Sequence, residues 1–115
     1  MLNVNIKRPA AGWNIQRVAT HPGAVLREDF MIPIGMSANH LAVRTKMPPT
    51  RIGEILRECR SVSPDTALRL ARYFGTSPEF WLNLQAAYDL SKARLELKSV
   101  LEREIEPLKL EAVSA

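Results

Sequence analysis

Apolar residues recur every three or four positions along much of the chain, which is the spacing of one face of an α-helix. Two of these stripes lie close together, in the segment of residues 37–60. They predict one helix over about residues 38–45 and a second that begins at Pro49. Two helices this short, joined by roughly three or four residues, must cross at a steep angle and form a helix-turn-helix. The residues expected on their inner sides are Leu41, Ala42, Thr45, Ile52, Ile55 and Leu56.

The starts of these two helices differ in the groups that they offer. Ser37 is a good N-cap for the first helix, because its hydroxyl can accept a hydrogen bond from a free amide of the first turn. Pro49 suits the first position of the second helix, where an N–H would have no partner in the helix. Pro48 and Pro49 carry no capping group, so the first amides of the second helix remain available to a phosphate. The outer side of that helix is expected to present Thr50, Arg51, Glu54 and Arg57.

Three further helices are predicted, each opened by a proline near its first position. The first opens at residues 21–23, where His21 is expected to be a helix-start residue rather than a ligand. The other two open at Ser-Pro-acid signals, at residues 63–65 and 77–79, and Gly75 is expected to end the earlier one. An aromatic cluster in the last helix is expected to close one end of the core. The residues predicted to face the core in these helices are Val25, Leu26, Phe30, Ala67, Leu68, Ala71, Phe74, Phe80, Trp81 and Leu84.

The last helix is expected to continue to about residue 106, where Pro107 stops it. If it is continuous from Pro78, it spans roughly 40 Å, which is longer than a domain of this size can cover with its own core. Its later part carries an apolar stripe within a surface of mixed charge, which favours self-association over DNA binding. A tail helix that packs on nothing is the alternative. The stripe consists of Leu90, Leu97, Leu101 and Ile105, and the predicted dimer interface of Trp81, Leu84, Tyr88, Leu90, Leu97 and Leu101.

The first 20 residues show no helical stripe and are basic. Val4 and Ile6 alternate with polar neighbours, as in an edge strand. The sequence leaves four interpretations open: a disordered arm, an arm that reaches a DNA groove, a strand laid on a partner, and a frayed terminus. The chain is therefore divided into an N-terminal arm (residues 1–20), a helix-turn-helix domain (residues 21–90) and a C-terminal helical extension (residues 91–115).

Composition narrows the class of protein. A chain of 115 residues supports one domain, which can bury a core without disulfides or metal. The apolar content of 46% and the charged content of 24% are those of a globular protein. Cys59 is the only cysteine, which excludes an internal disulfide and indicates a reducing compartment. Because no apolar run reaches the length of a membrane span and no signal peptide is apparent, we expect a cytoplasmic protein without a membrane partner.

Positive charge is concentrated around the second helix of the helix-turn-helix. The net charge of +4 favours a polyanionic partner only weakly, so the location of the charge matters more than its sum. An α-helix fits the DNA major groove, and residues at its N-terminal end reach base edges. The pattern therefore favours DNA binding over an ordinary helical hairpin with a solvated charged face. The basic residues of segment 38–60 are Arg44, Lys46, Arg51, Arg57 and Arg60, and its acids are Glu54 and Glu58.

Two stretches match the pattern of a known family: HPGAVLREDFMIPIGMSANHLA (residues 21–42) and PPTRIGEILRECRSVSPDTALRLARYFGTSPEFWLNLQAAYDL (residues 48–90). They resemble the HigA-type antitoxins, a branch of the phage-repressor-like (Xre) helix-turn-helix proteins. The part from residue 63 onward is close to the family signature. The resemblance implies an all-α, five-helix, repressor-like domain, here with an extended C-terminal helix. It also implies a homodimer that binds a palindromic DNA operator and pairs with a small RelE-like toxin of the mRNA-cleaving class.

The resemblance also implies which residues contact DNA. On the repressor-like pattern, base contacts fall on Pro49, Thr50, Arg51 and Glu54. Phosphate contacts fall on Ser37 and Asn39, and we add the basic residues Arg44, Lys46, Arg57 and Arg60. No enzyme, cofactor or metal site is expected, because the sequence has no Cys/His pair at ligand spacing and no glycine-rich phosphate loop.

Three residues depart from the family pattern. Lys46 and Glu58 stand where glycine is usual, so residues other than glycine are expected to need a positive φ there. Ala38 replaces a glutamine that is common in phage repressors. The two missing glycines, together with the long C-terminal stripe, keep open an interaction module that does not bind DNA. A solitary repressor is the other alternative, since nothing in the sequence separates it from an antitoxin.

Overall fold

A computed structural model describes residues 17–109, and all regular structure in this part of the chain is helical. The first element, α1, changes its winding along its length: an α-helical turn at Pro22–Val25 passes into a π-helical turn at Leu26–Met31 and a 3₁₀ turn at Ile32–Ile34. The other helices are α2 at Ala38–Thr45, α3 at Pro49–Leu56, α4 at Pro64–Phe74 and α5 at Pro78–Glu104. The prediction of an all-α, five-helix domain with an extended last helix is confirmed.

Side-chain caps start four of the five helices. Ser37, Ser63 and Ser77 each accept a hydrogen bond from the amide three residues ahead, at 3.1, 3.3 and 3.1 Å. His21 caps α1, because its Nδ1 accepts from the amide of Gly23 at 2.8 Å. Burial lowers the pKa of the His21 imidazole, which keeps the ring neutral and Nδ1 able to accept. The predicted start signals are therefore confirmed, including His21 as a helix-start residue.

The core lies between the inner sides of all five helices. Trp81 of α5 has no exposed surface, and the ring of Phe30 lies 5.0 Å from the Trp81 ring and 5.1 Å from the Phe74 ring, between centroids. Trp81 of the predicted aromatic cluster belongs to the core, whereas Phe80 is 37% exposed and packs edge-on against the Trp81 ring, with 4.9 Å between ring centroids. The buried hydrophobic residues are Leu26, Met31, Leu41, Ala42, Met47, Ile52, Ile55, Val62, Ala67, Leu70, Ala71 and Trp81.

Besides Phe80, one further core residue was assigned wrongly from the sequence. Leu68 was expected inside, but its side chain is 59% exposed. The buried stripe of α4 contains Ala67, Leu70 and Ala71. Leu68 lies about 160° around the helix axis from Leu70, and therefore on the opposite side of the helix from the largest residue of that stripe.

α5 is one continuous helix of 27 residues, and only its first part packs on the domain. Its buried residues, Trp81 and Gln85, both lie in the first three turns. The last helical residue is Glu104, and the C-cap Ile105 is extended. Pro107 follows shortly afterwards and disfavours helical geometry in the residue that precedes it, Glu106. Leu90, Leu97 and Leu101 are 51%, 45% and 44% exposed, so the domain does not cover the predicted stripe.

The ends of the chain are described only in part. Residues 17–20 form no helix, and the amide of Ala19 donates to the hydroxyl of Ser91 on α5, at 2.8 Å. The predictions for Val4 and Ile6 lie outside the described residues, as does the end of the C-terminal extension.

Between residues 17 and 109, no helix combines the length and the apolar character needed to cross a membrane.

Candidate nucleic-acid interface

α2 and α3 form the predicted helix-turn-helix, and the first residue of their connection is left-handed. Lys46 has φ 58° and ψ 39°, which confirms the positive φ expected of a residue other than glycine. The amide of Met47 donates to the carbonyl of Ala42 at 3.0 Å, and the Met47 side chain is buried in the core. The side chain of Lys46 is exposed. The turn is therefore fixed by Met47 and leaves the lysine on the surface.

An arginine of α4 supports this turn. Nη1 of Arg69 donates to the carbonyls of Thr45 and Lys46, at 3.1 and 3.3 Å. These carbonyls lie at the end of α2 and have no partner within that helix. Nε of Arg69 donates to Oδ1 of Asp65 at 2.8 Å, so the arginine is held from its own helix as well.

The start of α3 is open to solvent. Pro48 is extended, with φ −61° and ψ 138°, and provides no side-chain cap. Pro49 and Thr50 are exposed, while Ile52 and Ile55 on the opposite side of the helix are fully buried. The outward orientation predicted for the first turn of α3 is therefore observed, and its first amides receive no capping side chain.

Arg51 has a partner that the sequence did not indicate. Its Nη1 donates to Oδ1 of Asp65 at 2.9 Å, and its side chain remains 27% exposed. Hydrogen bonds from Arg69 and from Arg51 hold the pKa of the Asp65 carboxyl below its usual range. The carboxylate is therefore ionised at neutral pH and joins the two arginines.

Two other predicted site residues pair with each other. Nη1 of Arg60 donates to Oε1 of Glu54 at 2.9 Å, and both side chains are exposed. The pair connects the outer side of α3 with the loop that follows it. Glu54 was predicted to contact a base and Arg60 a phosphate, so the structure brings a negative charge next to one of the proposed phosphate contacts.

The C-terminal end of α3 is held by α1. Nη1 of Arg27 donates to the carbonyl of Leu56 at 2.6 Å, and Nη2 lies 3.3 Å from a carboxylate oxygen of Glu58. Glu58 has φ 64°, which confirms the second positive φ expected at a missing glycine. The amide of Glu58 donates to the carbonyl of Ile55 at 2.9 Å. The chain therefore turns away from α3 directly after its last residues.

The other predicted phosphate contacts lie on the surface. The exposed Ser37 uses its hydroxyl to cap α2, and Asn39 is exposed in the first turn of the same helix. Arg44, Lys46 and Arg57 are exposed and take part in none of the ion pairs found between residues 17 and 109. Their charges are thus not neutralised by a carboxylate within the described part of the chain.

The predicted dimer residues fall into two groups. Trp81 has no exposed surface, so its assignment to a dimer interface is wrong: a residue without accessible area cannot be covered further by a partner. Leu84 and Tyr88 are half-buried, and the Tyr88 ring packs edge-on against His21, with 4.7 Å between ring centroids. The exposed group consists of Leu90, Leu97 and Leu101.

Three residues that support the interface were missed by the sequence analysis. Asp65 was interpreted only as a first-turn acid that favours the helix dipole, and nothing was assigned to Arg69 or Arg27. The hydrogen bonds of these residues join positions 14 or more residues apart in the sequence. The bond between Arg69 and Asp65, within α4, is the exception. Their spacing carries no periodic signal, but the acid at position i and the arginine at i+4 in α4 form a recognisable helical ion pair.

The paired helices α2 and α3, joined by a short turn and with the polar side of α3 outward, define a helix-turn-helix protein. The helix-turn-helix family model matches residues 28–81. Among similar proteins, virulence-associated protein I of Dichelobacter nodosus is 49% identical over 90 residues, which cover 78% of this chain and 82% of that protein.

Solved structures narrow the class further. An addiction module antidote protein of the HigA family from Coxiella burnetii is 46% identical, with a TM-score of 0.75 over 80% of this chain and 100% of that one. The antitoxin HigA of Pseudomonas aeruginosa, solved with the higBA promoter, is 42% identical, with a TM-score of 0.76 over 78% and 98% of the two chains. The chain belongs to the HigA-type antitoxins, within the Xre-like helix-turn-helix proteins. This family consists of DNA-binding antitoxins and regulators rather than enzymes.

Proposed function

We propose that this chain is the antitoxin of a type II toxin–antitoxin pair, which represses its own operon as a DNA-bound homodimer and neutralises an mRNA-cleaving, RelE-like toxin. The observation that carries the proposal is the open first turn of α3. It combines an uncapped helix start, an exposed Thr50 and a partly exposed Arg51 on a helix-turn-helix. The similarity to a HigA antitoxin solved with its promoter supports the same assignment.

In this proposal the first turn of α3 reads the bases of a palindromic operator. Arg51 donates to O6 and N7 of a guanine, which is the commonest specific contact in the major groove. Thr50 contacts a thymine methyl group or a phosphate, and Pro49 and Glu54 border the same bases. Phosphates are contacted by Ser37, Asn39, Arg44, Lys46, Arg57 and Arg60, which set the orientation of the protein on the duplex.

The far half of α5 supports the proposed homodimer. Leu90, Leu97 and Leu101 present apolar surface that the described part of the domain leaves uncovered. Lys98 and Glu102 pair across one helical turn at 2.9 Å, so charges of both signs flank the leucines. In the dimer, the half-buried Leu84 and Tyr88 extend the contact toward the domain. The two α3 helices then enter successive major grooves about 34 Å apart.

The DNA-binding part of the proposal is tested by dissociation constants for two duplexes of equal length. One is taken from the protein's own promoter, and the other is a shuffled sequence of the same composition. We expect tighter binding to the promoter duplex, with an affinity for both duplexes that falls as salt is added. Equal affinity for the two would contradict the proposal and favour an interaction module.

The toxin part is tested separately, by co-expression with the product of the neighbouring gene upstream. We expect a stable complex whose mass, measured by native mass spectrometry, contains two copies of this chain and at least one copy of the partner. Promoter binding without any such complex would indicate a solitary repressor instead.

A further inference from the structure

Asp65 lies between two arginines at the edge of the proposed DNA-reading surface, and one of its oxygens serves both. Oδ1 accepts from Nη1 of Arg51 at 2.9 Å and from Nε of Arg69 at 2.8 Å. An acid in the first turn is favoured by the helix dipole alone. However, Glu79, at the same position of α5, belongs to no ion pair found in residues 17–109. The two pairings of Asp65 therefore exceed what a helix start requires.

Arg69 fixes this carboxylate relative to the helix-turn-helix. Its planar guanidinium donates from Nη1 to the carbonyls of Thr45 and Lys46, at 3.1 and 3.3 Å, and from Nε to Asp65. Because hydrogen bonds are made by two nitrogens of the rigid guanidinium, the orientation of its plane is fixed. A continuous series of hydrogen bonds thus leads from the turn, through Arg69 and Asp65, to Arg51.

Arg51 keeps the donors that a base contact requires. One N–H of Nη1 is used for Asp65, and a guanidinium carries five N–H donors in all. The others are free to form the bidentate contact with guanine. If Arg51 turned to a phosphate instead, Asp65 would keep only its bond to Arg69, and its carboxylate would be less well neutralised beside the negatively charged DNA backbone.

We propose that Asp65 is a specificity-determining residue, which positions Arg51 for guanine and disfavours the use of that arginine on the phosphates of other sequences. The inference rests on the proposed DNA-binding function. It requires the preference for operator over random DNA to fall when the carboxylate is replaced. The replacement releases Arg51 from its position, which weakens operator binding alone, and it removes a negative charge from the surface, which favours all DNA alike.

The test is Asp65→Asn in the full chain, with dissociation constants for the promoter duplex and for the shuffled duplex. We expect the ratio of the two constants to fall about tenfold, because asparagine keeps an oxygen acceptor but loses the charge that strengthens its hydrogen bond with Arg51. The affinity for shuffled DNA should stay constant or increase. A variant that merely lowered the folded fraction would weaken both duplexes equally and leave the ratio unchanged.

Two further variants separate positioning from a general charge effect. Glu79→Gln removes the matching first-turn acid of α5 and should leave the ratio as it is in the unaltered chain. Arg51→Ala removes the residue through which Asp65 acts, so adding Asp65→Asn to it should not reduce the ratio further.

An unchanged ratio for Asp65→Asn would overturn the inference while leaving the proposed function intact. An equal fall of the ratio in the Arg51→Ala background would overturn it as well, because the effect would not pass through Arg51. A lack of promoter preference in the unaltered chain would overturn the proposed function and this inference together.

Discussion

The two ends of α3 are each held by an arginine from another helix, but the two arginines have different surroundings. At the N-terminal end, Arg69 of α4 supports the turn and shares Asp65 with Arg51. At the C-terminal end, Arg27 of α1 donates to the last carbonyl of the helix and pairs with Glu58. Only the N-terminal arrangement is connected to a residue that we propose to read bases.

Each end also contains a residue with a positive φ that is not glycine. Lys46 precedes α3 and has φ 58°, and Glu58 follows it with φ 64°. An L-residue in this conformation is strained, because its Cβ lies close to the backbone carbonyl. We infer that hydrogen bonds from Arg69 and Arg27 offset the backbone strain at Lys46 and Glu58. The contacts of Arg27 at the C-terminal end should therefore affect stability but not DNA selectivity, whereas those of Arg69 at the N-terminal end should affect both.

The largest effect is expected where α1 packs on the C-terminal end of α3. A Cβ added to Gly23 would overlap the carbonyl oxygen of Ile55, and both are backbone positions that cannot move independently. Gly23→Ala should therefore force α1 away from α3 and destabilise the domain by about 3 kcal/mol or more, measured by urea denaturation.

Gly53 provides the matched control, because it lies in the middle of α3. A Cβ there would meet only Nη1 of Arg57, at 3.3 Å, which is the mobile end of a long side chain. Gly53→Ala should be neutral or stabilise the domain by up to about 1 kcal/mol, since alanine favours a helix. Equal destabilisation by the two substitutions would show that α3 does not depend on the close approach of α1.

The next largest effect concerns the reading of bases at the N-terminal end. Arg51→Ala should weaken binding to the promoter duplex by about 1–3 kcal/mol and relax the sequence preference at one position of each half-site. Arg60→Ala, in contrast, should weaken binding to all sequences alike, because its proposed contact is a phosphate. Binding to a set of single-position operator variants distinguishes the two patterns. An equal loss on operator and random DNA for Arg51→Ala would reject its assignment as a base-reading residue.

The elements of this interface were largely predictable from sequence, because they depend on local signals. Ser37 and Pro49 set the starts of α2 and α3, and the stripe containing Ile52 and Ile55 set the buried side. The positive φ at Lys46 followed from the resemblance to the family, in which glycine occupies that position. These features depend on residues within one or two helical turns of one another.

The network around Arg51 was not predictable in the same way. Arg51 meets Asp65 across 14 residues, and Arg69 meets the turn across 23 and 24. Such pairs form only once α4 packs against α2, and neither hydrophobic period nor capping pattern specifies the angle at which it packs. The assignment of Leu68 to the core was wrong for a different reason. It depended on which side of α4 faces the core, and an error of one residue turns that side by about 100°.

A direct comparison of the two arginines separates structural support from selectivity. Arg27→Met and Arg69→Met each remove hydrogen bonds to backbone carbonyls while keeping an unbranched side chain of comparable length. Both should lower the Tm, by about 5 °C. Only Arg69→Met should also lower the preference for promoter over shuffled DNA, because Arg69 donates a hydrogen bond to Asp65 and Arg27 does not. Loss of preference in the Arg27 variant would show that the two ends are coupled through α3 itself.

The smallest effects are expected from restoring glycine at the two left-handed positions. Lys46→Gly should stabilise the domain by up to about 1 kcal/mol, since the relief of backbone strain exceeds the entropy that glycine adds to the unfolded chain. Glu58→Gly should gain less, because it also removes the partner of Arg27. Gly75→Ala is the reverse control: Gly75 has φ 78° and open space around it, so alanine there should lose stability through strain alone. A larger gain at Glu58 than at Lys46, measured by urea denaturation, would mean that the pair with Arg27 contributes nothing to the C-terminal end of α3.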